Sequence, residues 1–306
     1  MSDTARSWWR LGSGLVAYGF LTSGDFSLVG LPLAALLVAG ELSGPRDWAL
    51  VVMAFGLGIG GLLGTPEGRL DAVVATYEAI AVVVFIGIAL LAPGSLLGMT
   101  LCAVATAMLG ALALAWLQWG AAPFRPLHLE AMHETVSQLR QLTDRYPKQV
   151  SPELLARIVS TTIPATLALQ TFAGFALAWQ LHARLGRRPL GAALQPFREF
   201  RFGDGWIWGV VAALTIWLVP ALAAFKGAAL NLSVVLAALY LLRGAAIVVA
   251  FASATGISTT ALTLIGVAAA IFAIPLLLIL PGLWTLGLFD TWMEFRRRLA
   301  GRPTHT

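Results

Sequence analysis

A single charge sets the problem that this chain has to solve. Residues 229–255 form an apolar run long enough to cross a bilayer, and Arg243 stands near its middle. About 20 apolar residues at a rise of 1.5 Å match a hydrocarbon core of roughly 30 Å. An arginine at the centre of such a span costs about 3 kcal/mol on insertion scales, so its guanidinium has to face protein or water rather than lipid. Other spans must surround it.

The composition agrees. Hydrophobic side chains make up 58% of the 306 residues and charged ones only 11%, too little polar surface for a soluble globule of this size. The apolar runs are continuous, whereas a transmembrane barrel alternates apolar and polar residues in segments of about ten. The expected class is all-α: a polytopic transmembrane helical bundle of about eight spans with one amphipathic extramembrane helix. The net charge of +5 sits in loops and at the ends, where it sets orientation, so no nucleic-acid partner is expected and the lipid bilayer is the partner. Cys102, the only cysteine, falls inside a span and reads as a buried small hydrophobe.

The expected spans are 11–40, 47–64, 70–91, 96–119, 158–180, 205–225, 230–254 and 258–283, all in one integral domain covering 1–306. The first is interrupted by Ser23, Gly24 and Asp25, and reads either as one long tilted helix or as two half-spans meeting at Asp25. In the second, Gly56, Gly60 and Gly64 recur every four residues and predict a smooth strip for close helix packing. Gly56, Gly58 and Gly61 also fit GxGxxG, but no strand precedes them, so packing is the preferred reading. Ten of the eleven tryptophans lie near expected span ends, with Trp217 the exception.

Between the two transmembrane halves, residues 120–152 turn polar, with charges, prolines and two histidines. Leu129, Met132, Val136, Leu139 and Leu142 recur at helical spacing and predict an amphipathic helix docked through that row. His133 and Glu134 begin like a zinc-protease motif, but Ser137 stands where the second histidine belongs, and His128 and His133 are five apart, off a common face. No metal site is expected. Ser151, Pro152 and Glu153 form a strong helix start. In the span that follows, Thr162, Thr166 and Gln170, spaced by four and followed by Gly174, predict a polar stripe toward the bundle interior.

Eight spans place both termini on one side, and Arg6, Arg10 and the cluster Arg296 to Arg298 make that side cytoplasmic. The same parity sends Arg184, Arg187, Arg188, Arg198 and Arg201 to the other side. Either that connection folds back as an interfacial element or the span count changes.

Several short motifs carry a family likeness. Pro196-Phe197-Arg198 before Trp206, Asn231 opening a span, Tyr240-Leu241-Leu242-Arg243-Gly244 within it, and Leu286-Gly287-Leu288-Phe289-Asp290 before Phe295-Arg296 resemble the YybS-like family of bacterial membrane proteins, domain of unknown function 2232. That family is similar in architecture to the substrate-binding S components of energy-coupling-factor vitamin transporters. The resemblance implies a small-molecule binding or transport subunit without its own ATPase, and the sequence contains no GxxxxGK[ST] phosphate loop. It further implies a membrane coupling subunit as partner, with Ala35 and Ala39 as a small-xxx-small pair like the one S components present to it.

No enzyme activity is expected, because the sequence has no GxSxG elbow, no HExxH and no cysteine pair. No cofactor is implied. The expected function is binding or transport of a vitamin-like small molecule by a multi-pass protein of the inner membrane; the alternative is a scaffold that recruits partner proteins. The candidate substrate-binding residues are Arg243, Tyr240, Glu78, Gln170 and Thr166, the polar groups set deepest in spans. Arg243 and Glu78 are also expected to neutralise one another as a buried pair.

Overall fold

The computed structural model describes residues 27–39, 68–91, 94–120, 124–143, 151–186, 190–191, 193–258 and 274–293, with positions 56, 60, 260, 261, 264, 266 and 295. All the regular structure among them is helical. The eight helices of more than a few turns are α1 Ser27–Ala39, α2 Arg69–Leu91, α3 Leu96–Trp119, α4 Phe124–Thr143, α5 Pro152–Leu185, α6 Ile207–Leu218, α7 Lys226–Ala254 and α8 Ile274–Met293. Four of the described helices are long and apolar enough to cross a membrane: Arg69–Leu91, Leu96–Trp119, Glu153–Leu185 and Pro220–Ala254. The eight expected spans are therefore matched only in part. The second lies outside the described residues apart from Gly56 and Gly60.

The chain forms two compact units, Met1–Leu194 and Gln195–Thr306. The division falls in the basic connection after α5 rather than at the polar segment 120–152.

In the first unit the local signals define the helix ends. Ser95 Oγ accepts from Gly98 N at 3.2 Å to start α3, and Ser151 Oγ accepts from Leu154 N at 3.3 Å to start α5. From that cap α5 runs for 34 residues, about 51 Å at 1.5 Å per residue, and so outruns the hydrocarbon core. The core gathers Leu31, Leu36, Phe85, Ala103, Phe175 and Trp179, with the rings of Phe85 and Phe175 stacked at 4.2 Å. Gly174 lets α1 approach α5 closely, since a Cβ there would lie 3.0 Å from both Leu28 Cβ and Leu28 O. After α5 the chain folds back: Leu190 N donates to His182 Nε2 at 3.1 Å, and Gly191, at φ 93°, packs on Trp179.

Several expectations need correction here. Gly56 and Gly60 are exposed, and an added Cβ at either would meet nothing within 4 Å. Close helix contact falls instead at Gly174, Gly244 and Gly287. Ala35 is buried in the core and is not presented outward to a coupling subunit. Cys102 is exposed on α3. In α4 the docked side is turned by about one position from the expected row: Ala131 is buried, Met132 and Val136 are half-buried, and Leu129 is exposed. The reason is Glu130, whose Oε1 accepts from Leu70 N at 3.3 Å and so pins α4 to the positive N-terminal end of α2. Gly68 leaves room for that carboxylate. The side chains of Leu139 and Leu142 lie outside the described residues.

In the second unit α6 is shorter than expected. Val219 is extended, at φ −91° and ψ 113°, as the residue before Pro220 must be, and a 3-10 segment Pro220–Phe225 follows. Trp217 thereby comes to a helix end, with the Lys226 ammonium 5.9 Å from its ring centre. Helix α8 runs past the expected end at Leu283 and covers Asp290.

Candidate functional site

The C-terminal unit is built on one backbone-to-backbone crossing. Gly244 on α7 lies so close to Leu283 on α8 that a Cβ would overlap the Leu283 carbonyl oxygen, and a Cβ on Gly287 would overlap the carbonyl oxygen of Tyr240. Residue 240 faces 287 and residue 244 faces 283, so the helices are antiparallel. Glycine permits this because it has no side chain to hold the axes apart. Three residues from these contacts in each sequence stand Arg243, beside Gly244 and three after Tyr240, and Asp290, three after Gly287. The crossing brings the two together.

Arg243 is fully buried. In a helix its side chain leans toward the N-terminal end of α7, over the turn that carries Tyr240. Its Nε donates to Asp290 Oδ2 at 3.0 Å and its Nη1 to Asp204 Oδ1 at 3.0 Å. The buried Phe202 ring lies under the guanidinium, 5.4 Å from Cζ, and meets Tyr240 edge-on at 5.1 Å. Asp290 is as buried as Arg243 is, and its Oδ1 accepts from Phe295 N at 3.1 Å. Asp204 is different. Its side chain is 44% exposed, it stands in the 3-10 turn Asp204–Trp206 that opens α6, and its Oδ2 accepts from Arg201 Nη2 at 3.0 Å. Burial alone would raise the Asp204 pKa. The hydrogen bond and charge of Arg243, then of Arg201, outweigh it and hold the carboxyl below the usual aspartate value.

The result is a row of alternating charge, Asp290, Arg243, Asp204 and Arg201, running from the interior to the exposed edge of the unit. It is not complete. Arg243 Nη2, the Tyr240 hydroxyl and the Thr291 hydroxyl are buried without a hydrogen-bond partner. The two hydroxyls lie near one another without closing a bond. A buried polar atom left unpaired costs about 1–3 kcal/mol, which sets these three apart from the satisfied groups around them.

The other candidate residues are placed elsewhere. Glu78 belongs to the first unit, where its Oε2 accepts from Ser27 Oγ at 2.7 Å. The expected Arg243 and Glu78 pair is thus replaced by Arg243 with Asp290 and Asp204. Thr166 and Gln170 are exposed on α5, and Thr162 and Thr166 donate to the backbone of their own helix, at Ile158 O and Thr162 O. Of the stripe, Gly174 faces the interior, whereas Thr166 and Gln170 do not. The inward face of α5 carries Thr171, which accepts from Tyr77 and donates to Leu167 O. A groove of about 220 Å³ between α2 and α3 is lined by Ala72, Ala75, Thr76, Ala115, Gln118 and Trp119. The Thr76 hydroxyl is already donated to Ala72 O, and the groove offers no unpaired buried polar atom. Among the described residues no group of three or more His, Cys, Asp or Glu is placed to hold a metal ion.

Sequence reasoning missed Asp204, Asp290, Phe202 and Thr291. A signal for the carboxylates was present: residues 195–306 contain only Glu199, Asp204, Asp290 and Glu294 as acids, and a buried arginine needs one.

Comparison with known families gives a match over most of the chain. The model described as "Predicted membrane protein (DUF2232)" covers residues 99–291. That range includes Arg201, Phe202, Asp204, Tyr240, Arg243, Asp290 and Thr291, and leaves out Ser27 and Glu78. No curated protein and no solved structure matches the chain.

Proposed function

The chain belongs to the DUF2232 family of predicted membrane proteins, and from that premise we propose that it is a small-molecule binding or transport subunit whose site is the Arg243 centre. The observation that supports this reading is the set of three buried atoms without partners, Arg243 Nη2, Tyr240 Oη and Thr291 Oγ1. Guanidinium N–H groups and two hydroxyls converging at one place suit a solute that presents oxygen acceptors. The role is binding rather than catalysis, and movement of the solute would draw on a separate energy-supplying partner, in the manner of the S components. In this reading the protein is a multi-pass protein of the inner membrane with both termini cytoplasmic.

Native mass spectrometry of the gently solubilised full-length protein tests it. The expected result is a small-molecule adduct on the wild type that is lost in Tyr240→Phe and Thr291→Val, which remove one hydroxyl each and keep the packing. A wild type without any adduct, or an adduct equally retained by both variants, would overturn the reading.

A further inference from the structure

Two carboxylates hold Arg243, and they hold it in unequal ways. Asp290 is buried, sits in a helix, and takes the Nε edge of the guanidinium. Asp204 takes only Nη1, through one oxygen, although the Nη1 and Nη2 pair forms a fork that matches both oxygens of a carboxylate. Nη2 beside it is left without a partner, as are the nearby Tyr240 and Thr291 hydroxyls. Asp204 is also the one of the two with an exit. It is half-exposed, it stands in a three-residue turn rather than inside a span, and Arg201 already holds its other oxygen at 3.0 Å.

We propose that Asp204 is an internal stand-in for the carboxylate of an acidic solute, which displaces it from Arg243 on binding. This rests on the reading of the Arg243 centre as a ligand site and names the class of solute. In the exchange Asp204 turns to Arg201 at the exposed edge. The solute carboxylate takes both Nη1 and Nη2 and brings acceptors to Tyr240 and Thr291, so all three orphaned atoms are satisfied at once. The charge around Arg243 is conserved. It faces two carboxylates before the exchange, Asp290 and Asp204, and two after it, Asp290 and the solute. An acidic solute added without displacing Asp204 would set a third anion beside one guanidinium in a buried place, which the low local dielectric penalises.

The test uses benzoate as the probe and benzamide as its uncharged counterpart, read as the concentration dependence of the thermal unfolding midpoint of the full-length protein in detergent micelles. An internal competitor that occupies nine-tenths of the molecules weakens an external ligand by about tenfold. Asp204→Ala, and Asp204→Asn as an isosteric check, are therefore expected to respond to benzoate at concentrations at least about tenfold lower than wild type, with benzamide without effect. Adding Arg243→Gln or Thr291→Val to the Asp204 variant is expected to weaken the benzoate response. Equal benzoate responses in wild type and both Asp204 variants would overturn the proposal, as would a response that survives both added substitutions. A response to benzamide alone that requires Thr291 would overturn the acidic-solute assignment and leave the ligand site standing. A native adduct that Asp204→Ala weakens rather than strengthens would overturn the stand-in role as well.

Discussion

Glu78 in the first unit and Arg243 in the second pose the same problem, an ionisable side chain inside a membrane-crossing helix, and the two units answer it differently. Glu78 is half-buried and its Oε2 accepts from the Ser27 hydroxyl of α1. Arg243 is fully buried and needs two carboxylates and an aromatic face from three separate elements. A carboxylate only accepts, and a hydroxyl on a neighbouring helix can meet it. A guanidinium has five N–H groups and requires acceptors brought in from a distance, so its centre depends on how helices cross.

Breaking the centres should show this asymmetry. Arg243→Ala strands Asp290 in a buried place and is expected to destabilise the protein by about 3–5 kcal/mol, whereas Ser27→Ala removes one hydrogen bond to a charge and should cost about 1.5–3 kcal/mol. Unfolding titrations with dodecyl sulfate on the two variants give the comparison. Equal losses would mean that the Ser27 hydroxyl carries as much as the carboxylate pair does.

The glycines sharpen the same contrast. Gly287→Ala drives a methyl group into the Tyr240 carbonyl at the crossing that assembles the Arg243 centre, and a loss of about 2–3 kcal/mol is expected. Gly60→Ala is its control: the position is open and helical, so the change should be neutral or stabilising by up to about 1 kcal/mol. If Gly60→Ala proved as damaging as Gly287→Ala, the close-packed glycine strip read from the sequence would have to be restored.

The smallest effect concerns pH. Asp204 has a folded-state pKa below its unfolded value, so its contribution is complete above the unfolded value of about 3.9 and is lost as pH falls through the lower folded one. Stability should be insensitive to Asp204 between pH 5 and 7, and Asp204→Asn should flatten the acid slope below about pH 4. Solvent at the exposed edge screens the pair, so the difference should stay under about 1 kcal/mol. An Asp204-dependent change near neutral pH would contradict the lowered pKa.

What could be read in advance follows from how each feature is specified. Helices α2 and α3 lie within one residue of the expected 70–91 and 96–119, because continuous apolar runs and loop punctuation are local signals. The start of α5 was likewise carried by Ser151, Pro152 and Glu153. The faces of the helices were not legible. In a soluble helix polarity marks the outside, but a span is apolar on the side toward lipid and on the side toward its neighbours, so the Thr166 and Gln170 stripe carried no sign of direction. In α4, where one side does meet water, the pattern came within about one position.

The sequence by itself determined that this chain is a helical membrane protein with an arginine that must be neutralised within it, because length, hydropathy and the cost of a buried charge are properties of single segments. It also held the members of the centre: Arg243 beside Gly244, and Asp290 three residues after Gly287. Only the tertiary structure decided that these motifs meet. Asp290 lies 47 residues from Arg243 and Asp204 lies 39, and no periodicity reaches across such distances. The pairing of Arg243 with Asp290 follows from two glycines that allow a close antiparallel crossing.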